Sequence, residues 1–251
     1  MHLLVLGLIG VALGLSLGLF GGGGGILAIP LLVAAGVPAD EAGTTSLVVV
    51  GIGAIGGLIP HSRAGRVDWR EGALFGLFGV VGAAAGSLLA LNTDDRLQLI
   101  IFSGLLVVAG LLMLRNALRT ADRDSGSATR VRAPWPLVVV TALGVGLLTG
   151  FFGVGGGFLI VPALTLVLGM SIEKATATAL LVIVINATAA FIPRASEALD
   201  VPAAVVVTIG VLVTSWLAAR WSNRWSRKSL GIGFAVLVLV MAAFTLFETL
   251  T

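Results

Sequence analysis

The sequence predicts an all-α polytopic membrane protein built from two inverted-topology repeats with glycine-interrupted helical hairpins. Three observations lead to this prediction: the chain contains long apolar runs, its second half repeats its first, and the charge bias of its loops reverses between the halves. We expect about eight to ten helical segments of membrane-spanning or shorter length. Residues 1–118 form the first membrane repeat, 119–133 a cytoplasmic linker and 134–251 the second repeat.

The composition points to a lipid environment for most of the chain. Hydrophobic residues make up 58% of the 251 residues and charged residues only 11%, whereas a soluble domain carries about 25% charged residues. Most of the uncharged runs approach the roughly 20 residues that span about 30 Å of hydrocarbon. Runs without Asp, Glu, Lys or Arg include 42–60, 72–91, 97–114, 137–172, 175–193, 201–219 and 229–247.

The two halves of the chain match in sequence. Residues 14–32 align without gaps with residues 146–164, and 11 of these 19 positions are identical at an offset of 132. One residue later in register, 40–47 corresponds to 173–180. Shared glycine and proline positions are not expected of two unrelated apolar segments, so we interpret the chain as two copies of one unit.

The loop charges predict that the two copies have opposite orientations. Loops rich in Lys and Arg face the cytoplasm. In the first copy, the loop 61–71 is basic and the loop 92–96 is net acidic, whereas the corresponding loops of the second copy, 193–200 and 220–228, have the reverse bias. Inversion requires an odd number of crossings per copy. The first copy offers five segments: 3–19, 24–37, 42–60, 72–91 and 97–118.

Each copy also carries a glycine-rich interruption inside an apolar run. Several consecutive glycines weaken a helix, but they permit positive φ angles and a close approach of a ligand to backbone N–H groups. Irregular backbone at membrane depth is tolerated where it is buried in protein or lines a cavity. The short segment that follows each interruption is also compatible with a hairpin that enters to mid-depth and returns. Matched interruptions in inverted repeats indicate the binding site of a transporter.

The glycines predict an anion site that uses no charged side chain. The helices that restart at Ile26 and Phe158 would each direct about half a positive charge into the gap. Close helix packing is the alternative explanation, and we prefer it for Gly76, Gly79 and Gly82, and likewise for Gly86. The predicted substrate-binding glycines are Gly21, Gly22, Gly23, Gly24, Gly25, Gly153, Gly155, Gly156 and Gly157.

The paired GxGGG…P elements and the basic segment HSRAGRVDW after the third apolar run resemble the TauE/SafE sulfite exporter family. The resemblance covers nearly the whole chain. It implies a multi-pass protein of the bacterial inner membrane that exports sulfite or a related small organosulfur anion. The first copy reads GGGGG where the second reads GVGGG, which predicts a looser first turn.

Polar residues within the apolar runs are further candidates for the binding site. Thr45 and Thr178 occupy matching positions in the two copies, and Asn186 lies in the middle of a run. A membrane threonine often bonds to the carbonyl four residues before it, whereas an asparagine in hydrocarbon is costly without a partner. We expect all three to contact the substrate. His61 and Arg63 are expected to be interfacial anchors, and a role in gathering anions stays open.

Other classes of function are less well supported by the sequence. An enzyme is not expected, because the chain has no Cys, only two His and no acid in any apolar run. For the same reasons we expect no metal site and no cofactor. Nucleic acid is not an expected partner, since the arginines lie in loops. The expected partners are a small inorganic or organosulfur anion and the lipid bilayer, and a homo-oligomer stays open. The alternative function is an anion channel, or a permease for another small anion such as sulfoacetate.

Overall fold

The computed structural model describes residues 2–91, 93–121, 134–153, 157–222 and 227–250. These residues form ten α-helices and one 3-10 turn, Ile192–Arg194, so the predicted all-α fold is confirmed. Of the predicted linker, residues 122–133 lie outside the described residues. The helices of the first half are α1 (His2–Phe20), α2 (Gly23–Ala34), α3 (Ala39–Arg63), α4 (Trp69–Ala90) and α5 (Asp95–Ala121). Those of the second half are α6 (Trp135–Phe152), α7 (Gly157–Leu166), α8 (Ile172–Phe191), α9 (Val201–Trp221) and α10 (Arg227–Leu250).

Helix lengths separate complete crossings from shorter elements. Six helices are long and apolar enough to cross a membrane, namely α1, α3, α4, α6, α8 and α9. Helices α5 and α10 contain the apolar stretches Ile100–Arg115 and Ser229–Thr245. Helices α2 and α7 have 12 and 10 residues, and at about 1.5 Å per residue they reach only about half of the hydrocarbon thickness. The protein is therefore a multi-pass membrane protein with two short helices.

Local sequence signals explain where corresponding helices begin and end. Asp68 caps α4 by accepting a hydrogen bond from the backbone N–H of Glu71 at 3.2 Å. Asp200, its counterpart at an offset of 132, caps α9 by accepting from the N–H of Ala203 at 2.9 Å. Aspartate is a preferred N-cap because its carboxylate satisfies a free N–H of the first helical turn. The two copies thus use the same residue type for the same boundary.

The two halves of the chain interlock. Helix α4 packs on α6 and α8, and α9 packs on α1 and α3, so the fourth helix of each half contacts the first and third helices of the other half. Equivalent helices of the two halves also pack on each other: α3 on α8, α5 on α10 and α2 on α7. The buried core lies where α3 and α8 cross, and each half completes its core only with helices of the other.

Glycines allow these helices to approach backbone to backbone. A Cβ atom at Gly14 of α1 would collide with the carbonyl oxygen of Val211 in α9, and one at Gly146 of α6 would collide with that of Gly79 in α4. Gly146 and Val211 are the counterparts of Gly14 and Gly79 at an offset of 132. The packing role predicted for the α4 glycines is confirmed: Gly82 and Gly86 lie against α6, and Gly76 and Gly79 against α8.

Helices α3 and α8 run antiparallel. Gly51 lies against Ala187 and Gly57 lies against Leu180, so residue numbers rise along α3 as they fall along α8. At one end, Gly43 lies beside the guanidinium of Arg194. At the other end, Arg66 donates to Ser222 Oγ at 3.1 Å, which brings the segment 61–71 next to the end of α9. Antiparallel equivalent helices are a requirement of inverted repeats, whereas the assignment of either end to the cytoplasm stays a prediction.

We predict that cysteines introduced at Ser62 and Ser196 are labelled from opposite sides of the membrane. The basic segment 61–71 is expected in the cytoplasm and the net-acidic segment 193–200 in the periplasm. Because the native chain has no cysteine, an impermeant maleimide applied to intact cells should modify Ser196→Cys, and Ser62→Cys only after permeabilisation. Labelling of both variants from the same side would contradict the inverted topology.

We also predict that Gly86→Ala destabilises the protein and that Gly104→Ala does not. A Cβ at Gly86 would collide with the carbonyl oxygen of Leu147, whereas nothing lies within 4 Å of a Cβ at Gly104. Overpacking of this kind costs about 1–3 kcal/mol. The midpoint of thermal unfolding in detergent should therefore fall for Gly86→Ala alone. Equal midpoints for the two variants would show that the α4–α6 contact does not limit stability.

Candidate functional site

The two glycine breaks meet inside the protein. Gly21 and Gly153 follow the ends of α1 and α6 with φ angles of 69° and 65°, a left-handed conformation that glycine adopts without strain. Gly22 lies directly against the backbone of Gly157, so α2 and α7 begin next to each other. Of the other predicted site glycines, Gly23, Gly24 and Gly25 are buried in the first turn of α2, and Gly155 and Gly156 lie outside the described residues.

The space at this meeting point is closed by backbone. A Cβ atom at Gly21 would collide with the carbonyl of Thr176, and one at Gly153 would lie 3.2 Å from the carbonyl oxygen of Gly43. Thr176 and Gly43 are themselves equivalent positions at the N-terminal ends of α8 and α3. In this conformation the glycines therefore serve close packing, and the helix ends α2 and α7 are sealed between the first turns of α3 and α8.

In each copy, a side chain near the end of the third helix bonds carbonyls in the last turn of the first helix, before the glycine break. His61 Nε2 lies 3.2 Å from the carbonyl oxygen of Gly18. Arg194, the counterpart of His61 at an offset of 133, donates to the carbonyl oxygens of Gly150 at 3.2 Å and Phe151 at 3.4 Å. Gly150 is in turn the counterpart of Gly18. Carbonyls in the last turn of a helix have no partner within it, so equivalent side chains satisfy equivalent helix ends.

A serine hydroxyl supports the second break. Ser46 Oγ in α3 donates to the carbonyl oxygen of Gly153 at 2.7 Å. Its counterpart at an offset of 133 is Ala179, which has no hydroxyl to offer Gly21. The second break therefore has a side-chain hydrogen bond that the equivalent residue cannot supply to the first break.

Sequence reasoning did not select Arg194 for the site and placed His61 at the interface. The side chain of His61 is only 2% exposed and that of Arg194 only 8%. The signal that would have found them is their register, since each follows a matching proline, Pro60 or Pro193. Because one residue is a histidine and the other an arginine, a comparison of residue types alone did not show that they are equivalent.

Several buried polar side chains near the breaks have no hydrogen-bond partner in the described part of the chain. A buried polar group without a partner costs about 1–3 kcal/mol, so such a group marks a place where a ligand improves the energy. Ser16 Oγ is one of them, and it points directly at Gly23, the first residue of α2. The others within the helices α3 and α8 are Thr44, Thr45 and Asn186.

Thr45 and Thr178, which match by register and were both predicted to bind substrate, do not lie together. Because α3 and α8 run antiparallel, the two threonines occupy opposite ends of the crossing. Thr178 Oγ1 accepts a hydrogen bond from the backbone N–H of Asp68 at 3.0 Å and so holds the connection before α4. Thr45 is fully buried and has no partner among the described residues. The two equivalent residues thus have different surroundings.

Asn186 lies at the contact between α8 and α4. It is fully buried, and its amide lies against Gly79, where a Cβ atom would come within 2.6 Å of Oδ1 and 2.7 Å of Nδ2. Neither of its polar atoms has a partner in the described residues. An unsatisfied amide in the membrane interior is costly, so Asn186 stays a candidate for the binding site.

The chemical groups at the breaks limit which kinds of ligand could bind there. Within the described residues, no three His, Cys, Asp or Glu side chains lie close enough to hold a metal ion. The polar groups at the breaks are hydroxyls, the imidazole of His61, the guanidinium of Arg194 and the N–H groups of two helix N-termini. Such groups suit an anion that accepts hydrogen bonds.

The fold, with its interlocked halves and paired helix breaks, defines the class of multi-pass membrane transporters. The chain belongs to the TauE/SafE sulfite exporter family, because the family model described as "Sulfite exporter TauE/SafE" matches residues 6–245. This finding confirms the resemblance deduced from the glycine motifs.

Curated relatives agree with the class and leave the substrate unnamed. A probable membrane transporter protein of Xylella fastidiosa (strain Temecula1) is 41% identical over 176 residues, covering 69% of this chain and 67% of the relative. A probable membrane transporter protein of Bacillus subtilis is 26% identical, covering 84% and 86%. One of Methanocaldococcus jannaschii is 25% identical, covering 95% and 93%. No solved structure was found to match the chain.

We predict that Asn186→Leu lowers transport at least about tenfold without lowering thermal stability. Replacing an unsatisfied buried amide by an apolar group of similar shape is nearly neutral or stabilising. As a matched control, Ser87→Ala should lower the unfolding midpoint, because Ser87 donates to the carbonyl of Ala190 at 2.8 Å and accepts from Arg194 Nε at 2.9 Å. A fall in stability for Asn186→Leu would show that Asn186 is a structural residue.

Proposed function

We propose that the protein exports sulfite or a related small organosulfur anion across the bacterial inner membrane. In this proposal the anion is bound where α2 and α7 begin, by backbone N–H groups of the two helix ends and by the neighbouring hydroxyls. Because backbone closes this space in the conformation described, binding requires the first turns of α3 and α8 to move away from the breaks. Membership of the TauE/SafE family supports a transporter, and the chemistry of the breaks supports an anion.

One observation carries this proposal. Ser16 is 5% exposed, its hydroxyl has no partner in the described residues, and it points at the first residue of α2. A helix N-terminus with a free hydroxyl beside it donates several hydrogen bonds to a single anion. The N-terminal end of α7 begins next to it, at Gly157, and supplies a second partial positive charge.

The charge available at the breaks favours a monoanion. Two helix ends contribute about half a positive charge each. Arg194 adds a full charge near the second break, but its guanidinium is directed at the carbonyl oxygens of Gly150 and Phe151, which carry the negative end of α6. A bound monoanion therefore balances the site more closely than a dianion, and bisulfite is the monoanionic form of sulfite.

Transport of a monoanion needs no co-transported ion if the membrane potential drives it. The inside-negative potential supplies about 2.3 kcal/mol per charge per 100 mV in the direction of export. The alternative functions, an anion channel or a permease for another anion such as sulfoacetate, would use the same helix ends. A counterflow experiment distinguishes a carrier from a channel. A carrier exchanges unlabelled anion inside the vesicle for labelled anion outside and so accumulates the label, whereas a channel does not.

We predict that an imposed inside-negative potential accelerates sulfite efflux from proteoliposomes without a proton or sodium gradient. Efflux should be compared for sulfite, sulfate, thiosulfate, sulfoacetate and taurine, with sulfite expected to be fastest. Ser16→Ala should raise the KM for sulfite about tenfold, in line with the loss of one hydrogen bond to a charged ligand.

Ser103→Ala serves as a control for this measurement. Ser103 Oγ donates to Thr245 Oγ1 at 3.0 Å in the α5–α10 contact, away from the breaks, so its KM should equal that of the native protein. A strict requirement for a proton or sodium gradient would contradict the potential-driven mechanism. Faster efflux of sulfoacetate than of sulfite would favour the alternative permease.

A further inference from the structure

A basic cleft lies at the end of the molecule where α3 and α9 terminate. Its volume is about 320 Å³, and it is lined by Arg63, Arg66 and Arg220 together with Pro60 and Trp216. None of the described residues that line it is acidic. Three guanidinium groups around one concave space produce a positive potential that concentrates anions. The planar guanidinium also forms paired hydrogen bonds with oxyanions.

The arginines of the cleft are held in defined positions. The guanidinium carbon of Arg220 lies 4.6 Å from the ring centroid of Trp216, a cation–π contact. Arg66 donates from Nη1 to Ser222 Oγ at 3.1 Å. The nearest acid along the chain, Asp68, directs its carboxylate at the N–H of Glu71 as the N-cap of α4. These positions leave Arg63 and Arg220 exposed to solvent and available to an anion.

A single imidazole separates this cleft from the first glycine break. Arg66 Nη1 lies 3.5 Å from His61 Nδ1, and His61 Nε2 lies 3.2 Å from the carbonyl oxygen of Gly18. An imidazole protonated at Nε2 satisfies both contacts, since it donates to Gly18 and accepts from Arg66. Gly18 precedes Gly22 by one helical turn. His61 therefore connects the cleft with the last turn of α1, which precedes the first break.

We infer that this cleft is a docking site for a small oxyanion, which occupies it before reaching the glycine breaks. That the oxyanion is a sulfur oxyanion rests on the proposed function. The phosphate of an anionic lipid headgroup has the same chemistry. The free solute is the ligand we assign, because a cleft of about 320 Å³ is large enough for a whole small oxyanion, whereas the acyl chains of a lipid would have to lie outside it.

The reactivity of an introduced cysteine tests the docking site without measuring transport. Ala64 lines the cleft and is exposed, so Ala64→Cys reports the local potential through the ratio of its rates with an anionic and a cationic maleimide. This ratio should exceed that of Ser196→Cys at the other end at least about fivefold, the effect of one unit charge at 4 Å in water. Methanesulfonate, a monovalent sulfur oxyanion that does not react with maleimides, should slow the labelling.

Replacement of one arginine provides the matched control. In the Ala64→Cys background, Arg220→Gln should remove most of the protection by methanesulfonate, whereas Arg70→Gln should leave it unchanged, because Arg70 is exposed but does not line the cleft. Equal rate ratios at the two ends, or protection that persists in Arg220→Gln, would overturn the docking site.

The lipid composition of the vesicles distinguishes the two sources of oxyanion. In phosphatidylcholine vesicles, methanesulfonate should protect Ala64→Cys, and replacing half of the lipid by phosphatidylglycerol should change that protection little. If phosphatidylglycerol itself slows labelling and abolishes the effect of methanesulfonate, the cleft is a lipid site and the assignment to a solute is wrong.

Measurements of transport test whether an anion in the docking site goes on to the glycine breaks. Arg220→Gln should raise the KM for sulfite efflux about fivefold and leave the maximal rate unchanged, since a lost unit charge weakens capture by this factor. Suppose that methanesulfonate protects Ala64→Cys but that Arg220→Gln leaves the KM for sulfite unchanged. The cleft would then bind an anion that does not go on to the glycine breaks, and the inference would be overturned. If native vesicles export no sulfite but the cysteine is protected, the proposed function fails and the docking site stands.

Discussion

The structure depends on one constraint: every backbone polar group at membrane depth must find a partner within the protein. The glycine breaks place the last carbonyls of α1 and α6 in the interior, where neither lipid nor the same helix can bond them. Side chains from other helices form hydrogen bonds with these carbonyls and with that of the break itself: His61 with Gly18, Arg194 with Gly150, and Ser46 with Gly153. These bonds fix where α3 and α8 cross and where the two breaks meet.

The same constraint makes the two ends of the protein chemically different. At the first break, an imidazole bonds the end of α1, and at the second break a guanidinium and a hydroxyl bond the end of α6 and Gly153. A guanidinium keeps its charge under all physiological conditions, and its hydrogen bonds to carbonyls are charge-assisted and strong. The two closures have equivalent positions in the chain but rest on interactions of different strength.

The sequence predicts the helices well because glycine, proline and loop charge act locally. The predicted boundaries of α1, α3 and α4 lie within a few residues of those observed, and the break at Gly21–Gly22 falls where the glycine run begins. Which helices pack together is a property of the whole fold, so the contact of Gly14 with Val211 across nearly two hundred residues was not predictable from either segment alone.

The candidate site was predicted in part for a similar reason. The backbone role of the glycines follows from their lack of a Cβ atom, which is visible in the sequence. Thr178 accepts a hydrogen bond from the backbone N–H of Asp68, whereas Thr45 has no partner among the described residues, and the sequence does not reveal this difference between matching positions. Arg194 was missed because its bonding partners, Gly150 and Phe151, lie more than 40 residues away along the chain.

The interlocking of the halves has a consequence for biogenesis. Helix α1 packs mainly on α9, which is synthesised almost two hundred residues later. The glycine face of α4 likewise has no partner until α6 has been synthesised. Until then, a newly inserted first half exposes to lipid the grooves that the second half will fill. Insertion of the helices and assembly of the bundle must therefore be separate stages, and the emergence of α9 from the ribosome is the earliest point at which the protein can close.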